Sequence, residues 1–211
     1  MLKTLMQLGF IVVLTFCFFL SKNVVSPTFQ LTNSPNVVTK GQYGTSLIIE
    51  VSYSHSGFEE WLNTLSAPYP LFLIDVAWMQ RSEDLVALLI EKQIPVGLLG
   101  LNNDAYVNPR ILEGELRLFK QTFEKPPLWF ATKDDIISPT LLEQLFSSKV
   151  NALAPSLDYP VNPSQGAFVA LRLHREVEID FDEVTDYMKA IPFISIEENL
   201  FGYDISTKRY P

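Results

Sequence analysis

SLIIEVSYSHSGFEEWLNTL, residues 46–65, reads as a strand, a turn and a helix in immediate succession. Leu47, Ile48, Ile49 and Val51 form a near-continuous apolar run, the pattern of a strand covered on both faces of a parallel sheet. Ser52, Tyr53, Ser54 and His55 follow, then Gly57, and the helix opens with Phe58, Trp61, Leu62 and Leu65 on one face. Strand ends that pass through a glycine turn into a helix are where α/β proteins place their chemistry. Ser52, Tyr53, Ser54 and His55 are therefore the first candidates for a site.

The same unit recurs along the chain. YPLFLIDVAW (69–78) predicts a second buried strand, SEDLVALLIEK (82–92) an amphipathic helix that Ser82 can cap, and IPVGLLGL (94–101) a third strand. PRILEGELRLFKQTF (109–123) is helical with proline at its first turn, PLWFAT (127–132) is a strand, and SPTLLEQLFSS (138–148) repeats the Ser-Pro helix start. KVNALAPS (149–156) and GAFVALRLH (166–174) are strands, FDEVTDYMKAI (181–191) a helix, and PFISIEENL (192–200) a short closing strand. Strict alternation with apolar strands predicts a parallel sheet covered on both sides, closed as a barrel or left open as a doubly wound sheet.

Composition narrows the function. At 211 residues, 47% apolar and 12% aromatic, the chain holds one domain with a sizeable core. Net charge is −8, and the first 45 residues contribute Lys3, Lys22 and Lys40 without any acid, which leaves −11 on the rest. Such a body repels a phosphate backbone, so nucleic acid is excluded as a partner. The single cysteine, Cys17, lies in an N-terminal apolar run, so the body has no disulfide and no Cys/His cluster of the structural-zinc kind.

That run, LMQLGFIVVLTFCFFL (5–20), is uncharged between Lys3 and Lys22. It spans about 24 Å of helix against a hydrocarbon core of about 30 Å, a gap that snorkelling lysines can close. The expectation is a signal anchor over 1–22, with a cleaved signal peptide as the alternative, since no small-x-small site follows. A polar linker over 23–45, a domain over 46–205 and a tail over 206–211 complete the expected organisation. The domain is then extracytoplasmic, on a single-pass membrane protein or secreted.

The order of segments over residues 46–200 resembles the NodB-type polysaccharide deacetylase domain, an irregular (β/α) barrel. LIIEVSYSHSGFEEWLNTL looks like that family's opening strand, acidic motif and first helix. YPLFLIDVAWMQRSEDLVALLIEKQIPVGLLGL looks like its second strand, next helix and metal-histidine strand. FEKPPLWFATKDDIISPTLLEQLFSSKVNALAPSLDY is similar to its Gly-x-x-Pro-x-x-Phe-Arg-x-Pro region with the following helix and strand, GAFVALRLH to the strand ending in Leu-x-His, and FISIEENL to the final strand. The resemblance implies an Asp-Asp pair at the first strand end, where this chain has Ser52 and Tyr53. It implies metal histidines where this chain has Leu99 and Asn103, an arginine where it has Ala131, and a general acid at His174.

Leucine offers a metal no lone pair, and a serine hydroxyl is a poor zinc ligand. A lone acid without a Lewis acid supplies only about 10²–10⁴-fold acceleration. The expectation is a deacetylase-like α/β barrel without metal or other cofactor, catalytically inactive, binding an envelope glycan or a partner protein through Ser52, Tyr53, His55, Trp78 and Asp158. An active deacetylase or hydrolase with non-standard ligands, and a pure protein-interaction module, are the alternatives. His174 reads as a vestigial acid or as a histidine satisfied by a carboxylate such as Asp158. A metal held by His55, His174 and Asp158, and a Ser52–His55 nucleophile pair, are further readings, the latter without an orienting acid. Trp78 can stack on a sugar from the strand end, whereas Trp61 and Trp129 read as core. Lys133, Asp134 and Asp135 read as a solvated loop.

Overall fold

The computed structural model describes residues 30–176 and 178–202. The anchor expected over 1–22 and the tail over 206–211 lie outside the described residues. Among the described residues no helix is long and apolar enough to cross a membrane.

Eight strands, β1 (Val37–Val38), β2 (Ser46–Val51), β3 (Leu71–Ile74), β4 (Val96–Gly100), β5 (Trp129–Thr132), β6 (Asn151–Leu153), β7 (Leu157–Asp158) and β8 (Phe168–Arg172), form one sheet. Their spatial order is β1-β6-β5-β4-β3-β2-β8-β7, with every neighbouring pair parallel. Parallel neighbours need long crossovers, and helices supply them. These are α1 (Phe58–Thr64), α2 (Val76–Arg81), α3 (Glu83–Glu91), α4 (Pro109–Phe123) and α5 (Pro139–Ser147), then α6 (Phe181–Ala190) and α7 (Ile196–Phe201). The sheet curls into an open barrel in which β1 and β7 are the two edges.

The period of two along each strand separates two apolar layers. Ile49, Val51, Phe72, Ile74, Leu98 and Phe130 face the helices, in a core shared with Trp61, Leu89 and Leu145. Ile48, Leu71, Leu73, Leu99, Trp129 and Ala131 face inward, over Phe168 and Leu153. Trp61 and Trp129 are core residues, 4% and 2% exposed.

Three segments differ from the sequence reading. The second strand stops at Ile74, because Asp75 caps α2 by accepting from the backbone N–H of Trp78 at 2.5 Å. Trp78 therefore sits in a helix rather than at a strand end. Residues 196–201 are helical rather than a strand, because Ser195 accepts from the N–H of Glu198 at 3.1 Å, a Ser-x-x-Glu start of the capping-box type. Residues 30–45, expected as linker, instead pack on the domain: Val37 and Val38 pair with β6, and Gly41 N–H donates to the Gly166 carbonyl at 2.7 Å. Ser82 occupies the cap position of α3 but makes no side-chain capping bond.

α7 closes the barrel at the N-terminal ends of the strands. Ile196 joins the inward layer, the Trp129 indole donates to Glu197 at 3.1 Å, and fully buried Asn199 donates to Ser46 Oγ at 3.1 Å. Gly41 is required here, since any Cβ would collide with Asn199.

Candidate functional site

The inward layer changes character at the C-terminal ends of the strands. Continuing the alternation past Ile48 brings Glu50 and Ser52 inward from β2, and past Ala170 it brings Arg172 and His174 inward from β8. The β2–β8 register sets Glu50 directly opposite Arg172. Glu50 is fully buried and Arg172 is 6% exposed. Charges so placed persist only when paired. Arg172 Nε lies 3.4 Å from Glu50 Oε2, Arg172 Nη2 lies 2.9 Å from Asp135 Oδ1, and Arg172 Nη1 pairs with Asp158. Arg175 adds a bond to Asp135 at 3.0 Å and one to the Lys133 carbonyl at 2.6 Å. Lys133 reaches Asp75 at 2.7 Å. One guanidinium thus gathers carboxylates from β2, from the loop after β5 and from β7.

The electrostatics follow from burial. Desolvation pushes the Glu50 carboxyl up to about 7, against the pull of Arg172. His174, whose Nδ1 is 3.7 Å from Glu50 Oε2, is held below the usual imidazole value by burial first and by Arg175 next. Both Glu50 oxygens, Ser52 Oγ and Arg172 Nε are buried without a hydrogen-bond partner, and a bond to the Lys133 backbone opposes the downward shift of His174. A second buried acid lies behind this group. Glu115 accepts from Tyr106 Oη at 2.6 Å, and its carboxyl is also pushed up to about 7 by desolvation.

The sequence candidates distribute unevenly around this centre. Ser52 lines it. Tyr53, 38% exposed, stands at the rim with its hydroxyl on the Glu176 carbonyl at 2.5 Å and its ring 4.8 Å from that of His55. His55 Nε2 donates to the Leu173 carbonyl at 2.8 Å and does not converge with His174 on a shared ligand. Asp158 pairs with Arg172, so the carboxylate beside His174 is Glu50 and not Asp158. Trp78, expected to stack on a sugar, is instead fully buried with its indole N–H on Ser54 Oγ at 2.9 Å, and has no face for a sugar. Asp135 is no solvated loop residue but a partner of both arginines. Beside the mouth, a groove of about 910 Å³ runs between α1 and α6, lined by His55, Gly57, Glu60, Trp61, Asp180 and Asp182.

Sequence reasoning missed Glu50 and Arg172. Their signal was present, as single charges in LIIEV and FVALR, strands otherwise apolar throughout. The positions matched to the family's metal histidines offer nothing to an ion. Leu99 is buried in the inward layer, and Asn103 Oδ1 accepts from the Ser138 N–H at 2.8 Å. Among the described residues no three His, Cys, Asp or Glu side chains group so as to hold a metal ion, and a guanidinium stands where the carboxylates meet. The residues present do not fit the metal that the fold implies.

Comparison with solved structures places the fold. A family 4 carbohydrate esterase from Bacillus anthracis superposes with a TM-score of 0.63 at 13% identity, covering 77% of this chain and 86% of that one. PdaA of Bacillus subtilis, also a family 4 carbohydrate esterase, gives 0.62 at 13% identity over 78% and 85%. A family 4 pseudoenzyme from Bacillus anthracis gives 0.60 at 13% identity over 80% and 70%. No family model and no curated protein matches the sequence. At such identities the likeness establishes the fold, the carbohydrate-esterase barrel of the polysaccharide deacetylase type.

Proposed function

We propose that the chain is a membrane-tethered, extracytoplasmic protein of deacetylase fold that binds an envelope glycan without hydrolysing it. The observation that carries this reading is Arg172, whose guanidinium fills the strand-tip centre in ion pairs with Glu50, Asp135 and Asp158. Glu50 is fully buried beneath it, and a base that no substrate reaches abstracts no proton. What remains open is the rim. Tyr53 offers an exposed aromatic face, and the adjacent groove offers carboxylates and an imidazole to sugar hydroxyls. The described chain begins at the opposite end of the barrel, where the Gln30 amide donates to the Phe146 carbonyl at 2.9 Å and Leu31 N–H to Asn151 at the start of β6.

The test uses the full-length chain and N-acetylglucosamine oligomers. Acetate release stays at the buffer level with or without Zn²⁺, while the oligomers bind saturably. Tyr53→Ala weakens that binding about fivefold, the worth of an aromatic contact of about 1 kcal/mol. Turnover, or the absence of any binding, sinks the proposal. One observation favours a second reading, an active hydrolase. Glu50, with its pKa near 7, lies 3.7 Å from His174 and would serve as a base if the Arg172 side chain swung out. Acetate release abolished by Glu50→Gln would establish that reading instead.

A further inference from the structure

We infer that the groove between α1 and α6 is a docking surface for a glycan whose amino groups are free and protonated, in preference to its N-acetylated form. The inference rests on the glycan reading above and names the charge of the ligand that the groove selects.

Charge complementarity along an extended surface carries it. Glu60 on α1, Glu178 ahead of α6, and Asp180 and Asp182 at the start of α6 line a volume of about 910 Å³. Among the described residues no lysine or arginine lines this groove, and none of the four carboxylates enters an ion pair. The strand-tip centre beside it is the opposite case: Asp75, Asp135 and Asp158 each hold a lysine or arginine of the chain itself. Asp180 is occupied in capping α6, where it accepts from the Asp182 N–H at 2.9 Å. Glu60, Glu178 and Asp182 are exposed along the groove. Each helix N-terminus offsets them by only about half a positive charge, so the groove stays strongly negative.

The cation that fits is not a metal ion, since among the described residues no three such side chains group so as to hold one. Carboxylates spread along a groove suit positive charges spaced along a chain. A sugar oligomer with an ammonium on each ring presents them so, whereas its N-acetylated form brings only neutral amides. Amines fixed on rings also lose less freedom on docking than amines at the ends of lysine stems, which favours a glycan over a basic peptide. His55 lines the groove, and the exposed Tyr53 ring lies 4.8 Å from it as an aromatic face for the sugar. Exposed charge pairs are individually weak, so two or three on one oligomer give a preference of about tenfold.

The experiment is calorimetric titration of the full-length chain with glucosamine hexamer, N-acetylglucosamine hexamer and hexalysine, at a pH where the sugar amines are protonated. The glucosamine hexamer is expected to bind about tenfold tighter than the acetylated one. That gap closes as ionic strength rises from about 0.01 M to about 1 M and the Debye length falls from about 30 Å to about 3 Å. Glu60→Gln with Asp182→Asn narrows the gap to about threefold or less. Glu113→Gln with Glu143→Gln, the same charge change at exposed positions outside the groove, leaves it in place. Three results overturn the inference: an acetylated hexamer that binds as tightly or tighter, hexalysine that binds as tightly as the glucosamine hexamer, and a gap that the Glu113 and Glu143 substitutions narrow just as much. In the first of these the glycan reading survives, whereas failure of both hexamers to bind ends the two together.

Discussion

Glu50 and Arg172 show how much one charged residue can weigh in an apolar strand. Breaking a buried ion pair by removing one partner costs about 3–5 kcal/mol, because the other charge stays behind uncompensated. Arg172→Met is expected to destabilise by that order. Adding Glu50→Leu is expected to return a good part of it, which a double-mutant cycle in urea measures. Both residues stood out in the sequence as lone charges in LIIEV and FVALR, yet only the register of β2 against β8 reveals that they meet. Asp135 was legible as a charge and not as a partner, since its link to Arg172 spans 37 residues of chain. Glu115 carries a cleaner pH signal, as it lies apart from the arginines and beside Tyr106. Its carboxyl titrates near 7 in the folded chain against an ordinary 4.5. Between those values the folded state holds a proton that the unfolded chain has released. Stability is therefore full below about 4.5, falls as pH rises towards about 7 and is level above, by up to about 3 kcal/mol for this group. Denaturant melts of Glu115→Gln across pH 4.5–7 are expected to show a shallower fall than wild type.

At the scale of elements, local chemistry decided what hydrophobic pattern alone did not. Strand β2, helix α4 and the Ser-Pro start of α5 follow their apolar period and caps closely, so the sequence predicted them well. PFISIEENL alternates enough to suggest a strand, but Ser195 and Glu198 nucleate a helix instead. Ser195→Ala is expected to cost about 1 kcal/mol through the lost cap, and the same substitution at Ser82, which caps nothing, much less. Thermal melts of the two variants side by side give the comparison. Gly100, at the tip of β4, admits the Tyr106 hydroxyl and the Phe130 ring where a Cβ would sit. Gly100→Ala is expected to destabilise by about 1–3 kcal/mol as those rings are displaced.

For the whole molecule, the alternation of strands and helices made a curled parallel sheet readable without coordinates, because parallel neighbours leave few topologies. Its openness was not readable. It depends on β1 and β7, each only two residues long, and on β1 pairing with β6 across 115 residues of chain. The site was legible in its location and not in its contents. The sequence reading looked to the strand tips and to Ser52, Leu99 and Ala131, but not to the arginine that pairs with Glu50, Asp135 and Asp158 there. A mouth closed by ion pairs, an exposed Tyr53 and a groove alongside are the features on which the proposed binding role rests. The most direct measurement is anomalous diffraction at the zinc edge from crystals of the protein soaked in Zn²⁺. An ordered Arg172 side chain against Glu50 and Asp135, with no anomalous peak among them, is the result expected. A strong peak between Glu50 and His174, with Arg172 turned outward, would contradict it.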